Sequence, residues 1–189
     1  MNDSEAIHLL KQGDISGLDL LVERYQVKAL RTAYLITQDR GLAEDVIQSA
    51  FIRVYDRIEQ FDIRYPFEPW FMRIVINIAL KVAGSQKTIS RLDLNHIEIL
   101  PDYSPGPEQT VLADEQEQIV RQALKELSPG QRAVMIMRYY LGYTEGDMAR
   151  ELQKPLGTIR WRLYAAHQRL RGLLRGIDLK KQMGVASDE

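Results

Sequence analysis

The residues best suited to binding a charged ligand lie near the C-terminus. Between residues 158 and 181 the sequence has seven basic residues and a single acid, Asp178. Arginine can donate two parallel hydrogen bonds to guanine, and both arginine and lysine hold phosphate oxygens. This stretch therefore favours nucleic-acid binding rather than bond chemistry. Taken alone, such a basic stripe could also be the solvent-exposed face of an ordinary bundle helix that binds no nucleic acid.

Three consecutive helices are predicted to position this basic stretch. The segment 128–131 has the serine, proline and glutamine of a capping box, and Gly142 is a suitable left-handed stop. The segment 144–147 starts a second, short helix, and a turn at 153–155 leads into a third helix that ends near residue 174. A short capped helix, a tight turn and a long basic helix together indicate a DNA-binding helix-turn-helix.

The third helix is predicted to bury one apolar stripe and to turn its other side towards DNA. The side chains expected to contact DNA are Thr158, Arg160, Trp161, Arg162 and Arg169. Arg162 is expected to reach a base edge because it lies one turn into the helix. His167 is expected to be a packing residue or a side contact rather than a ligand.

Composition limits the other classes of function. The chain has 189 residues, 45% of them hydrophobic, which allows one large or two small domains. It has no cysteine, so neither a disulfide framework nor a thiolate metal site is expected. No apolar run approaches the roughly 20 residues that span a membrane, and the N-terminus does not resemble a signal peptide. We expect a cytoplasmic protein without membrane insertion, catalytic residues, metal, cofactor or small-molecule substrate.

Charge is strongly segregated along the chain. Residues 1–92 have 12 bases and 12 acids, residues 93–117 have seven acids and no base, and residues 118–181 have 13 bases and five acids. This asymmetry indicates an acidic segment beside a nucleic-acid-binding module. The predicted domains are an N-terminal helical domain (1–92), an acidic proline-containing linker (93–116), a C-terminal helix-turn-helix domain (117–181) and a tail (182–189).

An aromatic stretch stands out in the N-terminal half. Residues 61–71 contain five aromatic residues and two prolines. The prolines predict a loop, with Pro69 opening a helix that ends near Ala83. Aromatic rings on a loop beside basic residues can stack on unpaired bases. Packing in the core is the alternative: it is favoured for Trp70, and the question stays open for Tyr65 and Phe67.

The C-terminal segments 127–132, 137–144 and 157–163 resemble the DNA-binding region of extracytoplasmic-function (ECF) sigma factors. The resemblance implies that the third helix recognises the minus-thirty-five promoter element. Within these C-terminal segments and the turn between them, the sequence departs from the family pattern at three positions. Gln153 stands where the family usually has glycine, Leu156 where glutamate is frequent, and Trp161 where serine is common. A left-handed Gln153 would cost roughly 1 kcal/mol.

The N-terminal half resembles the same family in two places. The segment 43–48, with Phe51 and Val54, resembles the helix that docks on core RNA polymerase. The resemblance makes Asp45 and Gln48 polymerase contacts, followed by Ser49 where the family has glutamate. The segment 67–74 with Asn77 resembles the promoter-melting region. The side chains thereby implied at the minus-ten element are Phe61, Arg64, Tyr65, Phe67, Asn77 and Lys81.

The resemblance extends from about residue 18 to residue 174 and implies an all-α, two-domain sigma factor. Such a protein binds core RNA polymerase, recognises promoter DNA, starts strand separation and is controlled by an anti-sigma factor. It provides binding energy and is not an enzyme. Two alternatives remain: a helix-turn-helix regulator that acts without polymerase docking, and an adaptor whose basic helix binds an acidic protein.

Overall fold

A computed structural model describes the backbone of residues 2–89 and 122–185, and the side chains of residues 2–85 and 122–173. Every regular element in these ranges is helical, which confirms the all-α prediction. The chain divides into two units, Met1–Glu98 and Ile99–Glu189. The predicted linker at 93–116 and the domain boundaries at its ends lie outside the described residues.

The N-terminal unit contains four α-helices in its described part. They are α1 (Asp3–Lys11), α2 (Ser16–Thr37), α3 (Arg40–Arg57) with a 3₁₀ turn at Ile58–Gln60, and α4 (Phe67–Ile89). Asp39 caps α3 as predicted, since its carboxylate accepts from the Leu42 amide at 2.8 Å. Gly17 allows α1 and α2 to touch, because an added Cβ would lie 2.2 Å from the Ala6 carbonyl oxygen.

Helix α4 differs from its prediction at both ends. It begins at Phe67, two residues before the proline expected to open it, and continues to Ile89 rather than ending near Ala83. Pro69 is tolerated in this first turn because amide donors there lack intrahelical acceptors. The early start places Phe67 inside the helical unit, where its ring stacks on Phe71 at 5.7 Å.

The C-terminal unit is a three-helix arrangement preceded by a helical turn at residues 122–125. Its helices are α5 (Pro129–Tyr139), α6 (Glu145–Glu151) and α7 (Leu156–Val185). The predicted capping box of Ser128 with Gln131 is present, and Thr144 with Asp147 forms a second one at the predicted start of α6. Gly142 has φ +74°, as expected of a left-handed stop. Helix α7 runs beyond the predicted end near residue 174.

The turn between α6 and α7 brings the helix-turn-helix together. Gln153 has φ +51°, so the residue that replaces the usual glycine is left-handed, as considered above. The apolar faces meet in a core where Met137, Met148, Ile159 and Ala166 are fully buried. These contacts fix which side of α7 faces the protein and which side faces outward.

Candidate nucleic-acid and partner interfaces

Helix α3 exposes a stripe that joins polar and apolar side chains. Asp45, Gln48 and Ser49 are all exposed, and Ile52 and Tyr55 on the same side remain 61% and 48% exposed. The spacing of three, four and seven residues puts Asp45, Gln48, Ser49 and Ile52 on one face. An isoleucine left open amid polar residues is typical of a surface that a partner covers. We call these five residues the α3 face.

An adjoining strip of α3 forms a groove with α4. The groove has a volume of about 330 Å³. Its lining consists of Arg53, Arg57, Gln60, Trp70, Arg73, Ile74 and Asn77. Three arginines around a tryptophan suit a nucleic-acid strand, because cations hold phosphates and an aromatic ring stacks on bases. Lys81 is exposed one turn beyond Asn77 and extends the polar edge of this arginine groove.

The rings of Phe61 and Phe67 lie in the core of the N-terminal unit. They are only 4% and 2% exposed, and they contact each other edge to face at 5.7 Å. This burial corrects the expectation that these two phenylalanines contact DNA, since neither ring has a face free for a base. Trp70 packs on both rings at 5.0 and 5.7 Å while it lines the arginine groove.

The loop between α3 and α4 is held in shape by its own charges. Arg64 donates from Nη2 to Asp62 Oδ2 at 2.6 Å and from its backbone amide to Asp62 Oδ1 at 3.1 Å. These hydrogen bonds lower the pKa of the Asp62 carboxyl to about 2. At the loop base, Lys11 donates to the Phe61 carbonyl at 2.8 Å. We call residues 61–66 the braced loop. Tyr65 in this loop is 67% exposed, so its ring is available to a ligand.

The outermost face of α7 is not the one that the sequence predicts. Gly157, Trp161, Tyr164 and Gln168 are all exposed and recur at intervals of four, three and four residues. They lie opposite the apolar stripe that includes Ile159. Thr158, Arg162 and Ala165, by contrast, are only partly exposed. The centre of the outward side therefore consists of the two aromatic rings, 65% and 63% exposed.

Two predicted DNA-contacting arginines are paired within the C-terminal unit. Arg160 Nε donates to Glu145 Oε2 at 2.9 Å, which joins α7 to the first turn of α6. Arg169 Nη2 donates to Glu126 Oε2 at 2.9 Å. Both pairs are exposed, so each contributes little to stability and can exchange for a phosphate.

Arg162 lies against α5 instead of pointing outward. A Cβ built on Gly130 would come within 3.1 Å of Arg162 Cζ and 3.3 Å of its Nη1. The guanidinium thus covers the first turn of α5, which corrects the expectation that Arg162 points away from the protein towards a base edge. His167 contacts α5, because its Nε2 lies 2.7 Å from the Tyr139 hydroxyl and the two rings meet edge to face.

Three residues of these surfaces were missed by sequence reasoning. Tyr164 was not singled out, although its spacing from Trp161 and opposite the apolar stripe would have found it. Arg53 and Arg57 were not singled out either, although they line the arginine groove. The other predicted site residues are exposed or partly exposed, and their roles stay predictions.

Within the described ranges, no three histidine or acidic side chains are grouped so that they could hold a metal ion. No helix in the same part of the chain is long and apolar enough to cross a membrane.

Comparison with known proteins gives two regional matches in chain order. Residues 21–88 match the model for sigma-70 region 2, and residues 117–170 match the model for sigma-70 region 4. The RNA polymerase sigma-H factor of Pseudomonas aeruginosa is 31% identical over 174 residues, which covers 88% of this chain and 90% of that protein. The ECF RNA polymerase sigma-E factor of Haemophilus influenzae is 29% identical, with 89% and 93% covered.

A solved structure shows a similar fold. The sigma factor RpoE from Bartonella quintana, in complex with the anti-sigma factor NepR, superposes with a TM-score of 0.62 at 20% identity. The match covers 83% of this chain and 96% of that one.

Proposed function

Because the chain belongs to the ECF group of the sigma-70 family, we propose that it binds core RNA polymerase, recognises promoter DNA and starts strand separation. The structural observation that supports this proposal best concerns α3. Its exposed α3 face and the arginine groove form two adjoining strips of one helix, with Ser49 and Arg53 one turn apart at their border. One unit can therefore hold a protein partner and a DNA strand at the same time.

Polymerase docking is assigned to the α3 face. Asp45, Gln48 and Ser49 supply polar contacts around Ile52. Burial of the Ile52 side chain contributes most of the binding free energy at this face. Serine at position 49 gives this face one negative charge fewer than the glutamate usual in the family.

Promoter melting is assigned to the arginine groove and to the braced loop beside α4. Arg53, Arg57 and Lys81 supply the charge that attracts the sugar-phosphate backbone, while Asn77 offers an amide to a base or phosphate. Tyr65 and the groove side of Trp70 offer rings to bases that leave the duplex. Binding unpaired bases more tightly than paired ones shifts the equilibrium towards an open promoter.

Recognition of the minus-thirty-five element is assigned to α7. Thr158 and Trp161 lie within the first two turns of this helix, where a helix-turn-helix meets base edges. Arg160 and Arg169 hold phosphates when their acidic partners release them. The chain thus contributes binding energy at three surfaces, while bond chemistry belongs to the polymerase.

Control by an anti-sigma factor is part of the proposal. Its support is the fold shared with the RpoE chain that was solved with NepR. An anti-sigma factor would act by competing with core polymerase, so adding it should lower the fraction of chain bound to core.

Co-purification with core polymerase, followed by transcription from a library of randomised promoters, tests the function. We expect a stable complex and transcripts that begin downstream of one enriched pair of elements. A chain that binds DNA without core polymerase would instead be a free regulator. A chain that binds neither core polymerase nor DNA would point to an adaptor that binds acidic proteins.

A further inference from the structure

Between Gly157 and Gln168 the outward face of α7 is unusual for a DNA-contacting surface because it has no charged residue, and Arg171 follows only at the end of this stretch. Trp161 and Tyr164 dominate it, and both side chains are about two-thirds exposed. Gly157 lies one turn before Trp161 and has open space above it, since an added Cβ would meet no atom within 4 Å. A partner can therefore approach the helix backbone closely and lie against the indole ring.

The arginines beside the two rings lie to the sides of this face. Arg160 and Arg169 are held by Glu145 and Glu126 at 2.9 Å each, and Arg162 lies over Gly130. Polar recognition in the major groove requires donors or acceptors aimed at base edges. The centre of the outward face presents mainly the two aromatic rings instead, and Gln168 lies two turns beyond Trp161.

Among the four bases, thymine alone presents an apolar group in the major groove, its C5 methyl. We infer that Trp161 and Tyr164 form an apolar surface that recognises thymine methyl groups in the minus-thirty-five element. This inference rests on the proposed function and specifies the base chemistry of the same helix. Burying one methyl in apolar contact corresponds to roughly a fourfold gain in affinity.

Removing that methyl from DNA tests the inference directly. Holoenzyme assembled from the full chain and core polymerase first selects an upstream element from a randomised duplex library. The selected duplex is then prepared with either thymine or uracil, which differ only in the C5 methyl. We expect the wild-type holoenzyme to bind the thymine duplex roughly fourfold more tightly for each contacted position.

Three variants make the test specific. In the double variant Trp161→Ser with Tyr164→Ser, the thymine-to-uracil affinity ratio should fall to about one, whatever affinity is lost for both duplexes alike. Tyr139→Ser is the matched control, because it removes an equally exposed tyrosine from α5, and the loss of its contact with His167 should leave the ratio unchanged. Trp161→Ser alone should give an intermediate ratio. Thermal melting of each variant checks that the fold is retained, as expected for exposed positions.

The outcomes separate this inference from the proposed function. A wild-type ratio of one, or a ratio that survives in the double variant, overturns the methyl contact and leaves the sigma-factor assignment standing. In the first case the aromatic face would serve a protein partner instead. Failure to form holoenzyme, or to enrich any upstream element, overturns the proposed function together with this inference.

Discussion

The guanidinium of Arg162 covers the first turn of α5 so closely that a methyl group added to Gly130 would lie 3.1 Å from Cζ. The two residues are 32 positions apart in the sequence, and their contact joins α7 to α5. Arg162 therefore contributes to the packing between α7 and α5 through its guanidinium group.

This contact predicts coupling between two substitutions. Gly130→Ala displaces the Arg162 guanidinium in the wild-type chain, so its effect on stability should be less favourable there than after Arg162→Ala has removed that group. We expect a coupling free energy of about 1 kcal/mol from chemical denaturation of the four proteins. The base preference of holoenzyme should stay unchanged in Arg162→Ala. A relaxed preference at one base pair would restore Arg162 as a base contact.

Docking is tested at Ile52, the apolar centre of the α3 face. Ile52→Ser should weaken core-polymerase binding about tenfold or more, because the buried side chain would be worth roughly 1.5–3 kcal/mol. Asp45→Ala with Gln48→Ala should weaken it less. Val27→Ser is the matched control, since Val27 is an exposed apolar residue on α2. Equal core affinities of the Ile52 and Val27 variants would remove docking from α3.

The arginine groove is tested by salt dependence. The double variant Arg53→Ala with Arg57→Ala should bind promoter DNA more weakly and reduce the slope of log affinity against log salt by about 0.7–0.9 per arginine. Core-polymerase binding should be unchanged, because the two side chains lie beside the α3 face and not on it. Arg40→Ala on the same helix, where Arg40 pairs with Glu44 at 3.0 Å, is the control. An unaltered slope would exclude phosphate contacts in this groove.

Two aromatic residues near the loop should respond in opposite ways. Tyr65→Ala should preserve stability and lower promoter opening, since a stacked ring stabilises an unpaired base by roughly 1–3 kcal/mol. Phe67→Ala should lower the free energy of unfolding by about 3–5 kcal/mol because its ring is fully buried. Permanganate footprinting measures opening, and thermal melting measures stability. Normal opening in Tyr65→Ala would leave Trp70 as the groove's remaining candidate for stacking.

Two glycines on α7 provide a test of close DNA approach. Gly157→Ala and Gly172→Ala should each stabilise the helix by up to about 1 kcal/mol, because both sites have open space for a methyl. Only Gly157→Ala should weaken binding to the minus-thirty-five element, since its methyl would stand between the helix and DNA. Affinity and melting temperature, measured on both variants, decide the matter. Equal binding by both would place DNA farther from the helix backbone.

Local signals in the sequence predicted the helix starts well. The capping boxes at Ser128 and Thr144 and the cap at Asp39 depend on residues three positions apart, so no distant contact can change them. The left-handed conformation of Gln153 followed from its place in the turn. The start of α4 was missed because core packing of Phe67 outweighed the preference of Pro69 for the first helical position.

The directions of long surface side chains depend on contacts with neighbouring helices, which the sequence does not show. The apolar stripe of α7 was predicted correctly around Ile159 and Leu163, yet the direction of Arg162 is set by a glycine on another helix. Likewise, Arg53 and Arg57 became groove residues only because α4 passes beside α3. Long side chains at the edge of a helix can point either way, and the neighbouring helix decides which.

The capping boxes also affect the order in which the chain can fold during synthesis. Helical domains in which most contacts join residues close in sequence fold in microseconds to milliseconds. A ribosome adds roughly 5–20 residues per second, and 39 residues lie between the end of α4 at Ile89 and the start of α5 at Pro129. The first four helices thus have seconds to pack before the helix-turn-helix is made, so helices of the two units seldom compete for each other's apolar faces.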